Sequence, residues 1–139
     1  MGLVYADIEL VSNDDLTLFA LGQIDESKIR RMTVTALVDS GAEMLAINEN
    51  IKSQLGLRVL SKQLGKLADD STIEVEIAGP LEVRFANRDT TTRAMVLPGD
   101  AEVLLGAIPM EDMDVLIDPR NRCLVVNPAH PYVPQKSLK

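Results

Sequence analysis

A chain of 139 residues and 15.2 kDa has room for one domain around one core. With 46% hydrophobic and 25% charged residues it has the composition of a globular protein, which excludes a disordered or low-complexity chain. Its 14 Lys and Arg stand against 21 Asp and Glu, a formal charge of -7, so the surface repels phosphate backbones and no nucleic-acid partner is expected.

Apolar residues alternate in several short windows separated by polar turns, the period-2 pattern of strands. Ala6, Ile8 and Leu10 fall on one face of a first strand, Asp7 and Glu9 on the other. Ser12-Asn13-Asp14-Asp15 supplies turn chemistry, and Leu16, Leu18 and Ala20 resume the alternation, which predicts a strand, turn, strand beginning. Residues 32–38 are β-branched and increasingly apolar, a strand that enters the core and runs directly into Asp39-Ser40-Gly41-Ala42, placing a carboxylate at a buried strand end. A short helix is predicted behind Asn48 as N-cap, with Ile51 and Leu55 four apart and Gly56 just past its end.

Residues 58–66 and 73–77 predict a hairpin with its turn at 69–71, and 81–85 repeat the alternation beyond Gly79-Pro80. Two further strands, 90–97 and 102–105, are split by Pro98-Gly99-Asp100. Residues 106–113 predict a turn or two of helix with Pro109 near its start. A closing hairpin pairs 115–117 with 123–126, and Pro128, Pro131 and Pro134 make 128–139 a Pro-rich tail or extended arm instead of a strand. The expected class is all-β with one or two short helices, a single domain over 1–139. One weak echo runs through it: 37–42 and 103–107 both pass from an apolar strand through Gly-Ala towards a short helix.

Elimination narrows the chemistry. One cysteine, Cys123, and one histidine, His130, allow neither an intrachain disulfide nor a Cys/His zinc cluster, and no metal or cofactor is expected. Cys123 lies in an apolar run, where cysteine behaves as a small hydrophobe, and the methionines read as core fillers. A Ser-His-Asp site would have to use His130 in the tail, with no Gly-x-Ser-x-Gly elbow, and phosphate-cradling Gly-rich loops are absent. Glu111-Asp112-Asp114 reads as solvated helix, and 120–122 as a turn. No apolar stretch is long enough to span a bilayer and 1–7 lacks the pattern of a signal peptide, so no membrane partner and a reducing cytoplasmic location are expected.

Carboxylate chemistry remains, and Asp39 stands out. Ala36-Leu37-Val38 before it are apolar, and an ionised carboxylate there is costly unless it is hydrogen-bonded or has a task. Asp-Ser-Gly by itself is also a common turn tripeptide.

In context, Ala36-Leu37-Val38-Asp39-Ser40-Gly41-Ala42 resembles the active-site segment of retropepsin-like aspartic proteases, the single-lobe relatives of pepsin. The order agrees over residues 16–127: the motif, a short segment and helix, a hairpin at the position of the family's flap, Leu104-Leu105-Gly106 as the apolar pair with glycine, a short helix and a closing strand. The resemblance implies a closed β-barrel-like acid protease lobe. It makes Asp39 the catalytic residue, with Ser40 bracing the two loops through its hydroxyl, Gly41 letting backbone approach substrate and Ala42 lining the cleft. The hairpin over 66–77 becomes the flap, with Ala68, Asp69, Asp70, Ser71 and Thr72 at its tip.

Hydrolysis by this route uses two carboxylates that share a proton. The chain has one such motif, and a two-lobed protease would need about twice this length for two cores. The implied enzyme is therefore a homodimer with Asp39 facing Asp39, an aspartic endopeptidase acting on extended segments of peptides or unfolded proteins. Two departures mark this chain: the flap tip carries Asp69-Asp70 in place of glycines, and Glu43 and Ala107 stand where retroviral members often carry a paired aspartate and arginine. The competing readings are a catalytically inactive module of the same fold that binds peptide or protein in its cleft, and an unrelated small barrel whose Asp39-Ser40-Gly41 is merely a turn.

Overall fold

The first strand, β1 (Tyr5–Ser12), buries Ala6, Ile8 and Leu10, as its alternation requires, and pairs antiparallel with β2 (Arg31–Val38) in the register Ala6↔Ala36 and Leu10↔Met32. The structure, a computed structural model, describes residues 2–138.

Between these strands the predicted second strand over 16–20 is a helix, α1 (Asn13–Ala20). Ser12 decides it: the Ser12 hydroxyl accepts the Asp15 backbone N–H at 3.2 Å, and Asp14 and Asp15 sit at the positive end of the helix. A five-residue alternation cannot outweigh that cap. The buried Asp15 carboxylate then takes three donors from Arg30, its backbone N–H at 2.9 Å and its guanidinium at 2.8 and 3.0 Å. The pair fastens α1 to the start of β2, and Gly56 leaves room for it, since a side chain there would run into the guanidinium.

Past the Asp39 loop comes β3 (Leu45–Asn48), four residues the alternation could not reveal because Leu45, Ala46 and Ile47 are all buried. Asn48 caps α2 (Glu49–Leu55) by accepting the Ile51 N–H at 3.0 Å, and Gly56 ends it in the left-handed region at φ 60°, as predicted. The hairpin of β4 (Arg58–Lys66) and β5 (Thr72–Phe85) follows. The segments 73–77 and 81–85 are one strand, not two, bent where the pairing with β6 (Arg88–Leu97) shifts register between Ala78 and Leu81. Then come β7 (Val103–Leu105), α3 (Ala107–Met113), and a separate hairpin of β8 (Val115–Asp118) and β9 (Cys123–Val126).

The bend in β5 closes the fold. Its second half pairs with β1 (Leu10↔Val83), so β1-β2-β7-β3-β6-β5 returns on itself as a six-strand barrel, with β4 hanging from β5 outside the ring and three short helices against it. Ile8, Leu10, Leu45, Ile47, Leu81 and Leu105 fill the interior.

The tail beyond β9 forms no strand, as expected, but it is tied down. Asp114, the left-handed residue ending α3, accepts Asn127 Nδ2 at 3.0 Å and the Gln135 N–H at 2.9 Å, and lies 2.7 Å from His130 Nδ1. These bonds, led by that of the Gln135 amide, hold the Asp114 carboxyl down at about 2. The buried Arg88 guanidinium donates to the His130 carbonyl, and Asn87 Nδ2 to that of Pro131 at 3.0 Å.

Arg30 hydrogen bonding likewise lowers the Asp15 carboxyl against the opposing pull of burial. A carboxyl lowered on folding stabilises the fold fully above its unfolded value near 4, and that contribution is lost as pH falls through the folded value. Asp15→Ala should therefore cost about 1–3 kcal/mol at neutral pH, since Arg30 can rehydrate, and the variant should lose less further stability than the wild type between about pH 5 and 2. Urea denaturation across that range measures both.

Candidate active site

The two echoing segments of the sequence lie side by side. β2 and β7 pair in parallel, Leu37↔Leu104 and Val38↔Leu105, so both strands end at the same rim of the barrel. The ladder runs one rung further, with the Asp39 N–H donating to the Leu105 carbonyl at 3.0 Å, while on the other side the Val38 N–H donates to the Val4 carbonyl at 2.8 Å. Asp39 thus stands just beyond a strand held from both flanks.

Its loop is equally constrained. The Ala42 N–H donates to the Asp39 carbonyl at 3.1 Å, and the Gly41 N–H donates to the Asp39 carboxylate at 2.9 Å. Gly106 presses its bare Cα against the loop: a Cβ there would lie 2.7 Å from the Glu43 carbonyl oxygen and closer still to that of Met44. The first amides of α3 complete the tie, Ala107 N–H to the Ala42 carbonyl at 2.8 Å and Ile108 N–H to that of Glu43 at 3.0 Å. Where a side-chain ion pair would need an arginine at position 107, this chain holds the loop with backbone hydrogen bonds.

Val38 is buried, but Asp39 itself is half-buried, more open than a carboxylate at a sealed strand end. It and the exposed Ser40 line a cleft of about 640 Å³ walled by Leu3 and Val4 on one side and Ile117 and Pro119 of the β8–β9 hairpin on another. Gly41 and the half-buried Ala42 belong to the loop and not to the walls of this cleft, and Leu104-Leu105-Gly106 supports the loop from β7.

The hairpin expected as the flap is formed by β4 and β5, and its tip is closed by hydrogen bonds without glycines. Leu67 and Ser71 close it through the Ser71 carbonyl and the Leu67 N–H at 2.8 Å, and Asp70 takes the left-handed conformation at φ 68°. Asp69 accepts both the Ser71 hydroxyl and its N–H, and the hydroxyl bond leads in lowering the Asp69 carboxyl. Residues 68–72 are exposed, and none of them lines the Asp39 cleft.

Three contributors escaped the sequence reading. The backbone of residues 2–4 carries no motif; the α3 amides are legible only once β2 and β7 are seen to be neighbours; and Arg122, read as part of a turn, lines the cleft. Among the described residues no group of three or more His, Cys, Asp or Glu converges on a possible metal position, and no helix is long and apolar enough to cross a membrane.

Gly106→Ala should destabilise the fold by about 1–3 kcal/mol, because its methyl group can be placed only by moving the loop backbone. Amide exchange should rise first at Ala42, Ala107 and Ile108; a variant as stable as the wild type would show that the contact does not constrain the loop.

A sequence family described as Aspartyl protease matches residues 22–123. No curated protein matches the chain. Among solved structures, the retroviral protease-like domain of Ddi1 from Leishmania major is 19% identical with a TM-score of 0.54, over 92% of this chain and 90% of that one. A retropepsin-like aspartic protease from Rickettsia conorii is 16% identical (89% and 90% covered, TM-score 0.44), and Lpg0085 from Legionella pneumophila, of unknown function, is 14% identical (81% and 90%, TM-score 0.43). An unrelated barrel is thereby set aside: with most of its length matched and its barrel shared with the Leishmania domain, this chain belongs to the aspartyl protease family and has the retropepsin-like fold.

Proposed function

We propose that the chain is one half of a homodimeric aspartic endopeptidase, with Asp39 of each copy forming the reacting pair. The observation that carries this reading is the placement of Asp39: a carboxylate fixed by backbone bonds at the end of the parallel β2 and β7 pair and open to a cleft. One such motif per chain leaves the pair to be completed by a symmetry mate.

In the proposed reaction one carboxylate of the pair is ionised and the other protonated. The ionised one removes a proton from a water, whose oxygen attacks the carbonyl carbon of an extended peptide; the protonated one donates to the carbonyl oxygen. The tetrahedral intermediate collapses with cleavage of the C–N bond, and a proton passes to the leaving amine. The bond from the Gly41 N–H to Asp39 orients its carboxylate, and the β4–β5 hairpin is the element suited to cover an extended segment.

Asp39→Asn should lower kcat on unfolded peptide substrates by about 10³-fold or more while leaving the denaturation midpoint near that of the wild type. Specific activity of the wild type should fall on dilution in step with dissociation measured by sedimentation. Cleavage undiminished in the variant, or a fully active monomer, would overturn the reading, and peptide binding without turnover would favour the inactive module.

A further inference from the structure

The cleft at Asp39 carries a second charge. Arg122, in the turn between β8 and β9, lines it together with Asp39, while the walls between are apolar: Leu3, Val4, Leu37, Ile117 and Pro119. The two charges are not spent on each other. The Asp39 carboxylate takes the Gly41 N–H, and the Arg122 guanidinium has no hydrogen bond or ion pair among the described residues. Other cations of this acidic chain are paired with carboxylates, as Arg30 is with Asp15, Arg58 with Asp14 and Arg84 with Glu82.

The turn that presents Arg122 is fixed. Asp118 accepts the N–H groups of Arg120 and Asn121 at 3.0 and 3.2 Å and the Asn121 side chain at 2.9 Å. The guanidinium lies against Gly2, where a Cβ would fall 2.7 Å from its central carbon, so the N-terminal segment backs it on the cleft side. An unpaired planar cation beside apolar walls is matched by a carboxylate, which it can bind through two parallel hydrogen bonds.

We propose that Arg122 is a specificity residue, taking a carboxylate of the bound peptide in the cleft that opens on Asp39. The carboxylate is either an acidic side chain at one fixed distance from the cleaved bond or the free C-terminus of a short product-side segment. The net charge of -7 and Asp69-Asp70 on the flap give an acidic peptide no general attraction, so the preference is confined to that one position. The proposal rests on the protease reading only for the meaning of that position; the binding preference stands without turnover.

The experiment uses a peptide series in which one Glu is walked through an otherwise neutral sequence, against the Gln series, each with a free or amidated C-terminus. Cleavage is measured with the wild type, Arg122→Ala, Arg122→Lys and, as a control on the same turn, Arg120→Ala. Binding of the same peptides is measured on Asp39→Asn protein with and without Arg122→Ala. At one position Glu should lower KM about tenfold relative to Gln with little change in kcat; Arg122→Ala should abolish that ratio, Arg122→Lys retain part of it and Arg120→Ala keep it. A preference for the free over the amidated end, at no internal position, assigns the site to the C-terminal carboxylate instead of a side chain.

Cleavage that treats Glu and Gln alike at every position, with both ends alike, overturns the proposal and leaves the protease reading standing. No cleavage, but tighter binding of the carboxylate peptide that depends on Arg122, overturns the protease reading and supports the proposal. Neither cleavage nor discrimination in binding overturns both. Should Arg122→Ala instead shift the protein towards monomer in sedimentation, the guanidinium belongs to the contact between copies and the proposal falls.

Discussion

The structure depends on a contact in which no side chain takes part. Gly106 lies against the carbonyls of Glu43 and Met44, and around that point three amides, those of Asp39, Ala107 and Ile108, donate across between the Asp39 loop and the β7–α3 junction. Backbone-to-backbone contact of this kind leaves few rotatable bonds, so the carboxylate is positioned by the barrel and not by its neighbours' rotamers. Barrel closure matters for the same reason. The β1–β5 pairing holds β1, and the chain just before β1 supplies the carbonyl of Val4 that fixes Val38 from the other flank.

Charge is handled differently in the frame and at the cleft. In the frame, two carboxylates collect several donors each: Asp15 receives three from Arg30, and Asp114 gathers Asn127, His130 and Gln135. Each fastens a segment with little apolar surface to bury, α1 in one case and the tail in the other, so these contacts hold the periphery and not the barrel. At the cleft, Asp39 has a single amide donor and Arg122 has no partner among the described residues. Charges that face solvent instead of a partner within the chain can be met by a ligand.

Most of the strands were legible because their one-sided burial writes itself as alternation: Ala6, Ile8 and Leu10, or Val75 and Ile77, face the core as the spacing requires. Caps were legible where one side chain carries them, as with Asn48 and Gly56 around α2. The misreadings have physical causes. Over 16–20 the apolar spacing was too short to separate period 2 from period 3.6, and the deciding signal was the Ser12 cap with Asp15 three residues on. β3 has no exposed face to alternate with, and the bend that unites 73–77 with 81–85 falls where β5 exchanges β4 for β1 along one edge while keeping β6 on the other, which no local window contains. At the site, Asp39 and Leu104-Leu105-Gly106 could be read as a motif, whereas Val4, Arg122 and the α3 amides enter only through contacts between distant parts of the chain.

That division separates the parts of the site fixed by the fold from those it leaves open to substitution. The motif residues are fixed by steric demands that admit almost no alternative: Gly106 has no room for a methyl group, and Asp39 must follow a strand paired on both sides. Part of the walls comes instead from residues 2–4 and from the β8–β9 turn, outside the six-strand ring; Val4 packs into the core, whereas Leu3, Pro119 and Arg122 are exposed and answer to no packing constraint there. A substitution at Leu3, Pro119 or Arg122 changes what the cleft meets without touching the contact that holds Asp39, so the part of the chain least marked in sequence is the part free to set what is bound.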